Sequence, residues 1–152
     1  MKPILSFVSS LFLLLAFNGC GGDETSTLST GTTERSGGSS SALPATFSEV
    51  QSKIFVPSCA FSQCHGVGSR QGGLNLDPAE GDVYAEIVGV PSSEVPDFNR
   101  IEPGLPQESY LYLKLIDDPA ITGALMPLTG GPLDGDRLDL IRSWIESGAQ
   151  ND

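Results

Sequence analysis

Two thiols and an imidazole sit close together in Pro57-Ser58-Cys59-Ala60-Phe61-Ser62-Gln63-Cys64-His65. Side chains of these types in one short segment can form a disulfide, chelate a soft metal ion, or anchor a porphyrin. In the last case two cysteines add across the porphyrin vinyl groups and the histidine after the second cysteine becomes the proximal iron ligand. The usual spacing leaves two residues between the cysteines. Here Ala60, Phe61, Ser62 and Gln63 separate them, which enlarges the loop but keeps Cys64 next to His65. That adjacency fixes the imidazole relative to the second thioether. A Cys59–Cys64 disulfide is the competing reading, natural in a small exported domain, but it gives the neighbouring histidine no role. A zinc site has less support. Only three suitable ligands lie together, no second Cys or His pair occurs, and Cys64 and His65 as neighbours would strain a closed tetrahedron.

Beyond this segment the chain contains no other histidine, and beyond Met1 its single methionine is Met126. Met126 lies in Gly123-Ala124-Leu125-Met126-Pro127-Leu128, where a thioether could complete the coordination of an iron held by His65. Pro127 fixes its own φ and removes a donor, which stiffens that loop. The competing reading is a methionine that fills a core gap, as most do. Tyr110, Tyr112, Arg70 and Arg100 are within reach of porphyrin carboxylates in principle, but arginines are placed on the surface by default.

Positioning these groups falls to a few helices. Thr46-Phe47-Ser48-Glu49 fits a capping box, and Phe47, Val50 and Ile54 share one face of a first helix that Pro57 is expected to end. A second short helix is expected over 82–88, with Gly89 behind it. The four prolines in 91–106 predict an extended loop. A third helix is expected over 108–116, with Leu111 and Leu115 on one face and Asp117-Asp118-Pro119 as its stop. The last is the clearest: Asp134 as N-cap, a Leu138, Ile141 and Ile145 stripe with Trp144 adjoining, and Gly148 as terminator. No stretch alternates persistently with period two, so the fold class is all-α. The irregular share is too large for helices packed only on one another, and something else is expected to fill the core.

On these residues the chain resembles class I-like monohaem cytochromes c, especially the bacterial lipoprotein and planctomycete-type groups. Cys59 to His65, Gly72-Gly73-Leu74-Asn75-Leu76, Ser109-Tyr110-Leu111, Met126-Pro127 and Ile141-Arg142-Ser143-Trp144-Ile145 carry the resemblance, which covers nearly everything from Phe47 to Ala149. It implies a cytochrome c-like fold of about four short helices with long loops around one covalently attached haem c. It also implies that the first and last helices cross near Phe47 and Trp144, with the haem beneath them. The four-residue gap departs from the usual motif. With both axial positions filled by His65 and Met126, the expected function is reversible one-electron transfer between redox partner proteins, with no enzymatic step. Two other classes stay open: a haem enzyme or sensor with a free iron position, and a haem-free, disulfide-bonded interaction module.

The 152 residues allow one small domain. A formal charge of -11 excludes a nucleic-acid partner, whose phosphates need Lys and Arg stripes, and favours a basic one. Residues 1–19 have the layout of an export signal, with Lys2 before an apolar run and Gly19 ahead of Cys20. That run is too short to span a bilayer as a helix. The segment resembles a bacterial lipoprotein signal in which Cys20 is lipidated, although Phe17 and Asn18 stand where Leu and a small residue are usual. Gly21 after the cysteine points to the outer membrane by that resemblance. Residues 20–45 are rich in Gly, Ser and Thr and read as a tether reaching roughly 25 to 30 Å. The haem domain is expected over 46–152, exported and lipid-anchored on the periplasmic side, as a monomer or as part of a respiratory assembly.

Overall fold

The structure is a computed structural model that describes residues 45–152. The expected export signal, the lipidation site Cys20 and nearly all of the tether lie outside the described residues. In chain order the elements are α1 (Phe47–Val50), a π turn (Gln51–Phe55), α2 (Val56–Ser58), a 3-10 turn (Gln71–Gly73), α3 (Val83–Ile87), a second 3-10 turn (Pro106–Glu108), α4 (Tyr110–Leu115) and α5 (Gly135–Glu146). Among the described residues there is no strand, only isolated bridges, so the domain is all-α. No described helix is long and apolar enough to cross a membrane.

The first helix begins where its cap dictates. Thr46 is extended and its Oγ1 accepts from the Glu49 amide at 3.1 Å, which satisfies one of the free donors of the first turn. Asp152 adds a second acceptor, taking the Phe47 N–H at 2.9 Å. Phe47, Val50 and Ile54 are buried as their spacing predicts, and Phe55 joins them. Pro57 does not stop the chain at once. The helix runs to Ser58 because the π turn just before it closes with i to i−5 bonds, and this wider turn relieves the clash that a proline ring makes with a regular α turn.

The α3 segment matches expectation closely, with the Asp82 carboxylate accepting from Ala85 N–H at 3.1 Å and Gly89 at φ 68° behind it. The proline-rich connection is extended but well tied: Ile101 N–H donates to Ile87 O at 3.0 Å and Gly89 N–H to Ile101 O at 2.9 Å. Helix α4 starts at Tyr110, later than 108, because Pro106–Glu108 forms a separate 3-10 turn and Ser109 stays extended. On α5, Asp134 Oδ1 caps Arg137 N–H at 3.0 Å, and Ile141, Trp144 and Ile145 are fully buried. The α1 and α5 segments pack where Phe47 meets Trp144, ring centroids 5.6 Å apart and tilted by 37°. Arg137 extends the contact by donating to Ser58 Oγ at 3.1 Å, tying the start of α5 to the end of α2.

Candidate functional site: an apolar cleft with four sulfur and imidazole side chains

The chain folds back sharply after α2. Cys59 caps that helix, and Cys59 and Ala60 both donate to the Phe55 carbonyl at 2.9 Å. The extra residues between the cysteines form an outward turn in which Cys64 N–H donates to Phe61 O at 2.8 Å. His65 N–H returns to Cys59 O at 3.2 Å and Gly66 N–H to Phe61 O at 3.0 Å, so the loop closes on itself. Closure needs glycine at 66: a Cβ there would lie 2.3 Å from the Ala60 carbonyl oxygen, which is backbone and cannot swing away. The segment 71–76 then braces the histidine, with Gln71 N–H on Cys64 O at 2.9 Å and Leu76 N–H on His65 O at 2.7 Å.

Cys59, Cys64, His65 and Met126 all line one cleft of about 480 Å³. Its other walls are largely apolar, including Ile54, Phe55, Leu74, Leu76, Leu111 and Leu115. This size and character are typical of a site for a small molecule or cofactor. Both thiols are free, and both are half-buried. Burial pushes the Cys59 thiol up to about 12, helped by repulsion from Cys64 and opposed by Arg137. Burial also lowers the His65 pKa and favours neutral imidazole, with the Gln71 and Leu74 backbones pulling the other way.

His65 Nδ1 is buried and has no hydrogen-bond partner among the described residues. The four side chains fit a covalently bound haem: two thiols for its vinyl groups, a neutral imidazole and a soft thioether for its iron, and an apolar cleft for its ring. Among the described residues no group of three or more His, Cys, Asp and Glu is placed to hold a metal ion. The zinc alternative therefore gains no ligand set there.

Met126 stands on the loop between α4 and α5, half-buried, with its N–H donating to Lys114 O at 2.8 Å. The peptide bond joining it to Pro127 is cis. Of the four outer candidates from the sequence, Tyr110 and Arg100 line the cleft, whereas Tyr112 and Arg70 do not. Arg100 departs from the surface placement expected of it. Its side chain is only 12% exposed, donating to Glu86 O at 2.8 Å and Gly73 O at 3.2 Å, so backbone carbonyls replace its water.

Sequence reading missed Lys114 and Glu94, which also line the cleft. Lys114 Nζ is 2.9 Å from Glu94 Oε2, with the lysine side chain 9% exposed. Tyr110 donates to the same carboxylate at 2.8 Å. Burial alone would raise the Glu94 carboxyl, but hydrogen bonds from Lys114 and Tyr110 and the lysine charge outweigh it and hold it below the usual carboxylate range. Lys114 follows Leu113 inside an apolar helix, and nothing in its spacing marks it as buried. The only available signal was that Tyr110 and Lys114 fall one helical turn apart.

No family model matches the chain, and neither a curated protein nor a solved structure matches it.

Proposed function

We propose that this chain is a c-type cytochrome with a cytochrome c-like fold, an exported electron carrier holding one haem c in the cleft described above. The observation that carries the reading is the convergence of Cys59, Cys64, His65 and Met126 on a single apolar cleft, although Met126 is distant from the others in sequence. The attachment chemistry balances without an oxidant. Cys59 and Cys64 would hold the haem by thioethers, each sulfur bonded to one carbon of a vinyl group and the thiol hydrogen to the other. When bound, the haem supplies reversible one-electron exchange between ferrous and ferric iron.

The chain's own residues do the rest. His65 would donate a ring nitrogen to the iron, and burial favours the neutral ring that such ligation needs. Met126, a soft neutral donor, favours the ferrous state more than a second histidine would. Leu74, Leu76, Leu111 and Leu115 line the cleft and would exclude water from a ring held there. The Arg100 guanidinium at the cleft disfavours an added positive charge and acts in the same direction as Met126. With His65 and Met126 both holding its iron, the haem would have no free position for oxygen or substrate, and the chain would act as a carrier and not as an enzyme. In this reading Cys20 bears the lipid anchor that tethers the domain on the periplasmic side of the outer membrane. Its redox partner presents basic groups to an acidic surface.

Intact mass and visible spectrum of the protein exported by cells with a haem-attachment system test the proposal together. The expected result is a chain heavier by one haem, with haem absorbance retained after denaturation and lost in Cys59→Ala/Cys64→Ala. Absorbance that separates from the wild-type chain on denaturation, or no haem at all, refutes it. Met126→Ala is expected to abolish the far-red sulfur-to-iron band of the oxidised protein and to admit carbon monoxide to the reduced one. Carbon monoxide binding by the unaltered protein at neutral pH would instead identify an open-site enzyme or sensor.

A further inference from the structure

The chain from the end of α4 to Met126 contains no helix or strand, yet it is fixed to α4 at two points, one through the Lys114 main chain and one through the Tyr110 and Lys114 side chains. The first point is Met126 itself, whose N–H donates to the Lys114 carbonyl at 2.8 Å, one of the acceptors that the last turn of α4 leaves free. The second is Thr122. Its N–H donates to Tyr110 Oη at 3.0 Å and its carbonyl accepts from Lys114 Nζ at 2.6 Å. Tyr110 and Lys114 are one helical turn apart on α4, so both attachments rest on one rigid face. Glu94, from the proline-rich connection, closes the arrangement by accepting from both side chains, at 2.8 Å from Tyr110 and 2.9 Å from Lys114.

Stability alone does not account for these groups. Glu94 is 39% exposed, so its pair with Lys114 contributes on the order of 1 kcal/mol or less. What the cluster provides is geometry, because the Lys114 ammonium, only 9% exposed, loses its Thr122 acceptor in any other position of the loop. Methionine has three rotatable side-chain bonds, so its sulfur can sweep a range, and holding its backbone keeps that range over the cleft. The cluster lies on the cleft wall, with Tyr110, Lys114, Glu94 and Met126 all lining it.

We propose that Tyr110, Lys114 and Glu94 form a clip that holds the 117–126 segment and thereby positions the Met126 thioether in the cleft. They are positioning residues and touch no reacting atom. The inference rests on the reading of Met126 as an iron ligand and adds what places that ligand.

The test uses the haem-loaded full-length chain and the variants Lys114→Leu, Tyr110→Phe and Lys114→Arg. Covalent haem content, far-ultraviolet circular dichroism, the far-red sulfur-to-iron band and carbon monoxide binding are measured on each. In Lys114→Leu and Tyr110→Phe, haem content and helicity are expected to match wild type while the band is lost and carbon monoxide binds. Lys114→Arg, which keeps a cationic donor for Thr122 and Glu94, is expected to retain the band. An unchanged band with no carbon monoxide binding in folded Lys114→Leu or Tyr110→Phe overturns the clip. Should Lys114→Leu fail to fold, Tyr110→Phe decides alone, since it keeps the ring and removes only the hydroxyl. A wild-type chain without haem would sink the functional reading instead. Hydrogen exchange at the Met126 amide would then decide whether the clip exists: faster exchange in the two variants supports it, and unchanged exchange refutes it.

Discussion

Gly66 is buried against the carbonyl of Ala60, and the closed Cys59–His65 loop depends on its lack of a side chain. Replacing it with alanine forces backbone apart, a cost of roughly 1–3 kcal/mol by analogy with overpacked cores. Gly66→Ala is therefore expected to lower the urea midpoint of the haem-free chain without changing the slope of the transition. Cys59 makes a second expectation at this scale. With its thiol pushed up to about 12 by burial, the nucleophilic thiolate is scarce at neutral pH. Cys59 in the folded, haem-free chain is expected to react with iodoacetamide at least about tenfold more slowly than in the urea-unfolded chain, as peptide mass mapping would show. Equal rates would mean that the sulfur is not buried. In the proposed cytochrome reading, the same property would make thioether formation easier before the domain closes than after.

At the scale of elements, the short helices depend on their ends and on their crossings. The α1 segment has four residues before the π turn, too few to be stable by propensity, so cap and packing hold it. Thr46→Ala removes the acceptor for the Glu49 amide and is expected to cost about 1 kcal/mol. Trp144 is the largest fully buried side chain, against Phe47 on one side, with its Nε1 donating to Gln150 O at 2.9 Å. Trp144→Ala is expected to cost about 3–5 kcal/mol and to loosen the α1–α5 crossing, read as a lower urea midpoint together with faster hydrogen exchange in both helices. A loss confined to α5 would show that the crossing does not couple the two ends of the chain. The cap residues and apolar faces of α1, α3 and α5 were legible because capping and 3.6-residue spacing are local. The π turn was not, since it depends on how far α2 must rotate to bury Phe55 and bring Cys59 to the cleft.

Across the molecule, acidity governs both stability and encounter. Asp134, Glu49 and Glu94 have carboxyls held below their ordinary range: Asp134 chiefly by the Arg137 amide and side chain, Glu49 chiefly by Lys53, and Glu94 by Lys114 and Tyr110 against its burial. In that window the unfolded chain binds more protons than the folded one, so folded stability rises with pH there. The contribution is fully present above the ordinary carboxyl range and is lost as pH falls through the depressed folded values. Thermal midpoints are expected to drop on acidification below about pH 4.5, and Asp134→Asn is expected to shrink that drop. The described domain accounts for nearly all of the formal charge of -11, so if the chain is the electron carrier proposed above, its exchange with a basic partner protein is expected to slow as salt rises toward physiological strength and beyond. A rate independent of salt would place the contact on an uncharged face.

The sequence by itself determined the all-α class, the capped helices, the Cys64–His65 adjacency and the two single-copy residues His65 and Met126 as candidates for one site. All of these rest on spacing along the chain or on composition, which tertiary contacts do not alter. Only the tertiary structure decided that Met126 shares a cleft with Cys59, Cys64 and His65, that Tyr110 and Arg100 face it while Tyr112 and Arg70 do not, and that Lys114 and Glu94 are paired beside it. Those facts depend on where distant loops meet. A lysine inside a helix carries no mark of its burial until Glu94, Thr122 and Tyr110 are brought around it, because the partners that make a buried charge tolerable come from other parts of the chain.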